Sequence, residues 1–251
     1  MSVSSLFEGK LKAAEGTRIQ LNGSSVGVFE ALKKIPRTGK ACRIDAFHLQ
    51  LPRRSLFDHL PSMAAQADVF LKYAKSAISE ELMAELILFH DWHEVIIGDV
   101  PEFTPKELAG DLYMSSEDKV KRQAKADELI VNSLSGSIKQ QYVALDGFFH
   151  KPDPFFIMVD KTDPIIAIWR YLFLLKDKID IEKFLEAMTH FFTNPKVVPA
   201  CISEDIASFI AFLQNKDNAR AFFNKGFDVF QNSKISMADT KALLQRKMHF
   251  V

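Results

Sequence analysis

Cysteine is nearly absent from this 251-residue chain: Cys42 and Cys201 are the only two, far apart and without CxxC spacing. That excludes a disulfide framework and a thiolate zinc site, and makes a reducing cytoplasm the expected location. Net charge is absent as well, because 32 Lys and Arg balance 32 Asp and Glu. No global field then favours a nucleic acid polymer or an anionic membrane, so an anionic ligand must be met by local groups. No apolar run reaches the roughly 18 residues of a membrane span. The richest stretch, 164–175, is interrupted by Arg170 and reads as a buried helix. The opening MSVSSLFEGKLKAAEG lacks the apolar core of a signal peptide. Internal repeats and low-complexity tracts are also missing.

What is present is apolar content, at 47% of residues, spaced mostly at helical rather than alternating intervals. The fold class expected is therefore all-α. The spacing predicts helices near 61–77, 80–97, 104–109, 117–135, 137–145, 154–176, 180–191, 202–214 and 217–230. Pro61 suits a first helical turn, Gly98 ends a helix, and Asp153-Pro154 reads as an N-cap followed by proline at N1. Gly23, Gly27 and Gly39, with the β-favouring stretch Arg18–Leu21, suggest a small hairpin in the first 50 residues. From Lys178 onward the chain is rich in Phe at three-to-four spacing, which helix packing explains. Three regions are expected: an N-terminal extension over 1–50, a helical core over 51–180, and C-terminal helices packed on it over 181–251.

The chemistry concentrates in HDWHEVIIGDVP, residues 90–101, at the end of an apolar helix. On a helix His90 and Glu94 share a face, and the adjacent Asp91 reaches the same point from one side. An imidazole and two carboxylates on a mostly buried helix are costly unless a metal or hydrogen bonds satisfy them. Two further parts belong with this cluster: His59, well upstream, and an Asp within the downstream stretch 159–163, VDKTD.

Together these residues resemble the HD-domain phosphohydrolase superfamily, whose pattern is His, then His-Asp, then a distant Asp, each on a different helix. The longer string is similar to the His-Asp-x-x-Glu-x-x-x-Gly-Asp-x-Pro motif of the 5'-deoxynucleotidase subgroup, which removes phosphate from deoxyribonucleoside 5'-monophosphates. The resemblance covers roughly residues 50–180 and implies an HD-type helical bundle with extra N- and C-terminal elements. It implies that His59, His90, Asp91 and Asp163 hold one divalent metal ion, that Glu94 is the catalytic carboxylate, and that Asp99 contacts the sugar hydroxyl. Upstream basic residues grip the phosphate in that family, and Arg43, Arg53 and Arg54 are the candidates here.

Two neutral imidazoles and two carboxylates leave positions open on a divalent ion for water and a phosphate oxygen. Manganese, cobalt, iron, nickel, zinc and magnesium all remain candidates. Glu94 is placed to exchange a proton with water and leaving oxygen, and an arginine to neutralise the phosphoryl oxygens. The chain departs from the family pattern in two places. Leu60-Pro61 follows His59 where a small hydroxyl residue is usual, and Asp163 precedes Pro164, which leaves Asp160 as the alternative ligand. His93, an extra histidine inside the motif, either extends the site toward a second metal or the substrate or is an exposed residue or one standing behind the ligands, and Lys106, Lys119 and Lys121 are further phosphate candidates. His48, His150, His190 and His249 read as structural or surface residues.

The expected substrate is a small phosphate ester, most simply a deoxyribonucleoside 5'-monophosphate, with a nucleoside triphosphate or a catalytically silent nucleotide sensor as the competing readings. A homodimer is expected.

Overall fold

Small polar residues ahead of apolar runs set the main helix starts. Ser2, Ser55, Ser79 and Ser115 each take extended backbone, and their side chains accept from the amides of Ser5, Asp58, Leu82 and Asp118. The computed structural model describes residues 1–37, 54–71, 78–100, 113–160 and 163. Among these the order is α1 (Val3–Ala14), β1 (Arg18–Leu21), β2 (Ser24–Gly27), α2 (Val28–Leu32), α3 (Leu56–Phe70), α4 (Glu80–Phe89), α5 (Glu94–Ile97), α6 (Ser116–Ser133), α7 (Gly136–Ala144) and α8 (Asp146–His150). Further helix covers 154–160. Among the described residues the architecture is all-α, with one hairpin. The helices expected at 104–109, 180–191, 202–214 and 217–230, the remainder of 154–176, and the Phe-rich C-terminal part lie outside the described residues.

Helix α1 is not predicted by the apolar spacing, which gives no helix before residue 61. It buries Val3, Phe7 and Ala14, a sparse stripe, and gains its order from packing against α3 and α4. Ser4 Oγ donates to Asp68 of α3 at 2.5 Å, and Lys10 Nζ to Glu85 of α4 at 2.7 Å. The hairpin appears as expected. Arg18 pairs with Gly27 and Leu21 with Ser24, across a two-residue turn in which Asn22 and Gly23 take φ of 50° and 77°. Positive φ at both positions gives a turn whose twist matches that of the strands. The Gln20 amide donates to Ser133 Oγ at 3.0 Å, which docks the hairpin on α6.

Helix α3 begins a turn earlier than Pro61 suggests. Ser55 and Asp58 form a reciprocal capping box, the Ser55 amide donating to Asp58 Oδ2 at 2.8 Å, so Pro61 lies inside the helix. The cap outweighs the signal from proline, whose missing N–H leaves one internal bond unmade. The earlier start moves His59 from the approach to the helix into its first turns.

The single helix expected over 80–97 is also divided. Helix α4 buries Met83, Ala84 and 86–89, nearly all round. Beyond it the bonds tighten to the third residue back: Trp92 N–H donates to Phe89 O, Glu94 to Asp91 and Val95 to Trp92, all at 3.0–3.1 Å. Helix α5 follows and stops at Gly98, φ 78°. Trp92 anchors this turn in the core, fully buried against Phe89, Phe29 and Tyr142 at centroid distances of 4.8, 5.8 and 5.8 Å. Such aromatic pairs contribute about 0.5–1.5 kcal/mol each beyond burial. With Trp92 fixed inward, its neighbours in the tight turn project to the opposite side.

Candidate metal centre

Backbone pairing brings the first parts of the site together. Segment 35–37 runs beside 54–56, with the Arg37 amide donating to Arg54 O at 2.8 Å and the Leu56 amide to Ile35 O at 2.9 Å. Arg37 is thereby held at the head of α3, which carries His59. Its Nη1 lies 3.4 Å from Asp91 Oδ2 and 3.8 Å from Asp99 Oδ1.

Donor atoms of His59, His90 and Asp91 lie within 4.8 Å of one another, the spacing that one ion can span. His90 Nδ1 faces the Ile87 carbonyl at 3.1 Å. A carbonyl only accepts, so Nδ1 carries a hydrogen; burial lowers the ring's pKa but Asp91 outweighs it and raises it above the ordinary value, and loss of the Nε2 proton leaves the tautomer a metal ligand needs. That Nε2 is buried without a hydrogen-bond partner, although Asp91 Oδ1 lies 3.1 Å away, and Glu94 Oε2 is orphaned in the same way. Unsatisfied buried acceptors of this kind are rare in folded proteins.

His59 adds a second anomaly. Its Nδ1 lies 2.8 Å from Asp163 Oδ2 and its Nε2 2.9 Å from Asp160 Oδ1. Burial and the Arg37 guanidinium lower its pKa to about 3, so the ring is neutral near pH 7 and has one N–H. Only one of the two contacts is then a hydrogen bond. The other sets a nitrogen lone pair against a carboxylate, which is favourable once a proton or a metal ion is shared at that contact. The donor set therefore fits a divalent metal: neutral imidazoles, carboxylates and unmet lone pairs converging on one point.

Asp163 is buried among donors. Besides His59 it accepts from Arg54 at 2.9 Å, from Gln66 at 2.6 Å and from Ser62 Oγ. His59, Ser62 and Gln66 form an inward polar stripe on α3 that this one carboxylate serves. Asp160 instead lines the cleft that His90, Asp91 and Glu94 face. Of the expected phosphate grips, Arg54 is thus engaged with Asp163, while Arg43 and Arg53 lie outside the described residues. Asp99 opens onto a neighbouring cavity of about 510 Å³ with Tyr113 and Arg122.

The electrostatics separate the two carboxylates of the motif. Burial raises Asp91, but His90 and Arg37 outweigh it and hold the group well below the usual range. Glu94 is pushed well above the usual range by burial, then by Asp91 and Asp99. His93 falls to about 4, chiefly through burial, and its Nε2 accepts from Gln123 Nε2 at 2.8 Å. The cleft, about 250 Å³, is bounded across from the motif by Lys119, Gln123 and Asp127 of α6, with Phe149 and Phe156 beneath.

The structure brings His59, His90, Asp91, Glu94 and the 160–163 pair close together, and adds Arg37, Ser62, Gln66 and Gln123, which no motif in the sequence marks. Arg37 follows Pro36 in a stretch without helical periodicity, so no signal marked it.

No curated protein matches the chain significantly. The family model described as HD domain matches residues 29–200, which takes in the paired segment at Arg37 as well as every residue of the metal cluster. HD domains are in general metal-dependent phosphohydrolase domains, and the cluster carries the ligand types that this activity uses. With the match covering well over half of its length, the chain belongs to the HD domain family.

Proposed function

We propose that this protein hydrolyses the phosphate of a deoxyribonucleoside 5'-monophosphate, releasing nucleoside and inorganic phosphate. The observation that carries the hydrolytic reading is the pairing of a metal-competent cluster with an uncommitted carboxylate: Glu94 Oε2 is buried, unbonded and turned to the same cleft as His90 and Asp91. The sugar and phosphate count rest on the similarity of residues 90–101 to the deoxynucleotidase motif.

In this reading His59, His90, Asp91 and Asp163 hold one divalent ion, with Asp160 as the alternative fourth ligand. When bound, the ion supplies Lewis-acid polarisation of the phosphate and activation of water. Glu94 accepts a proton from the attacking water and returns it to the leaving 5'-oxygen; its raised proton affinity suits both transfers. Arg37, pinned beside Asp91, neutralises charge that builds on the phosphoryl oxygens. Asp99 receives the sugar hydroxyl, and Trp92 in the core keeps the whole turn from shifting.

The test is phosphate release from deoxy- and ribonucleoside mono-, di- and triphosphates, run with manganese, cobalt, magnesium and chelator, for wild type and Glu94→Ala. Metal-dependent release from deoxy monophosphates is expected, with Glu94→Ala losing about 10²–10⁴-fold in turnover while still binding nucleotide. Triphosphate release from deoxynucleoside triphosphates reassigns the substrate. Unchanged turnover in Glu94→Ala removes that residue from the chemistry.

A further inference from the structure

The motif side of the cleft is rich in negative charge. Asp91 and Asp160 line it, and Asp127 joins them from α6. A phosphate ester brings more, so it settles only where cations offset the repulsion. Arg37 stands on the buried side and is already engaged with Asp91 and Asp99. The open wall needs a cation of its own.

Lys119 occupies that wall. It is half-buried on α6, one turn before Gln123 and two before Asp127, so the three side chains form a single stripe along the cleft. Its charge acts on both His93 and Glu94, which places the ammonium in the electrostatic field of the site. Among the described residues Lys119 makes no ion pair, whereas Lys121, exposed on the same helix, binds Glu117 at 2.6 Å. The lysine facing solvent has its carboxylate, and the lysine facing the cleft has none. A partly desolvated ammonium in that position gains a charge-assisted hydrogen bond when an anion arrives.

We propose that Lys119 is a substrate-binding residue that takes the phosphoryl oxygens from the α6 wall of the cleft, across from the motif turn. The Gln123 to His93 hydrogen bond, 2.8 Å, ties that wall to the motif turn and sets its distance from the metal ligands. This assignment rests on the phosphohydrolase reading above and names a residue that the motif does not contain.

The test uses the full chain loaded with manganese, in wild-type, Lys119→Met, Lys119→Arg and Lys121→Met forms. Inorganic phosphate binding is measured by titration calorimetry, alongside KM, kcat and bound manganese. Lys119→Met is expected to weaken phosphate binding and raise KM by about 10–100-fold, the scale of one charged hydrogen bond, with kcat and manganese content within about twofold of wild type. Lys119→Arg recovers most of the loss, and Lys121→Met resembles wild type. Wild-type phosphate affinity and KM in Lys119→Met overturn the assignment. The two readings fail separately. Lys119-dependent phosphate binding in a protein that hydrolyses no ester keeps this residue's role and removes the hydrolase, while hydrolysis with an unchanged KM in Lys119→Met does the reverse.

Discussion

Nδ1 of His59 lies 2.8 Å from Oδ2 of Asp163, and three further donors, from Arg54, Ser62 and Gln66, converge on the same carboxylate. Whether Asp163 binds the proposed ion itself or aims His59 at it, metal retention is expected to depend on this group. Removing an orienting carboxylate alone typically lowers metal affinity about 10–100-fold. Asp163→Asn is therefore expected to lose manganese by at least that factor, measured by titrating the metal into the chelator-stripped protein. Asp160→Asn separates the roles. Retention in that variant supports Asp163 as the fourth ligand, and loss of comparable size transfers the role to Asp160 and leaves Asp163 to orient His59.

Arg37 favours the ionised forms of Asp91 and Glu94, stands near Asp99 and disfavours the imidazolium of His59. Arg37→Met leaves three mutually repelling carboxylates at the turn. In metal-free protein the expected cost is roughly 1–3 kcal/mol in urea unfolding, the range for a charged hydrogen bond lost from a partly buried site. Added manganese supplies positive charge at the same place, so the deficit should shrink when the metal is present. An equal deficit with and without metal would mean that Arg37 acts through local packing instead. Turnover should fall as well, with Lys less effective than Arg because an ammonium lacks the planar, multiply donating guanidinium and is more strongly hydrated.

Much of the site was legible because its residues are tied by local geometry. His90, Asp91 and Glu94 are close in sequence, so any helical or tightened turn keeps them near one another, and the expectation survived the break between α4 and α5. His59 and the 160–163 pair needed only to lie on packed helices. Arg37 was not legible, since its position depends on the pairing of 35–37 with 54–56, a contact between segments that carry no periodic signal. Helix α1 escaped for a related reason: three buried residues in a helix of 12 make a weak stripe, and α3 and α4 supply the rest of its stability. The start of α3 was misplaced because Pro61 is the louder signal, although the Ser55 and Asp58 pair was visible in the sequence. Asn22-Gly23, by contrast, dictates its own backbone, and the hairpin formed where the sequence put it.

The wall of the cleft offers a pH test that does not depend on metal. Tyr142 Oη donates to Asp127 Oδ1 at 2.6 Å and ties α7 to α6. Burial raises the Asp127 pKa, and the Tyr142 hydrogen bond partly lowers it. A folded-state pKa above the unfolded value means that this group's contribution is fully present below the unfolded pKa and is lost as pH rises through the folded one. Tyr142→Phe removes the donor that favours the ionised carboxylate, so the folded pKa climbs further and the loss at higher pH grows. Near pH 7 the variant should be less stable by roughly 1 kcal/mol, the lower part of the range because Asp127 is only partly buried. Near pH 3.5, below the usual Asp pKa of about 3.9, the carboxyl is protonated and the gap should narrow. Urea midpoints at the two pH values decide it: equal deficits at both would show that the Tyr142 hydroxyl stabilises the helix pair whether or not Asp127 is ionised.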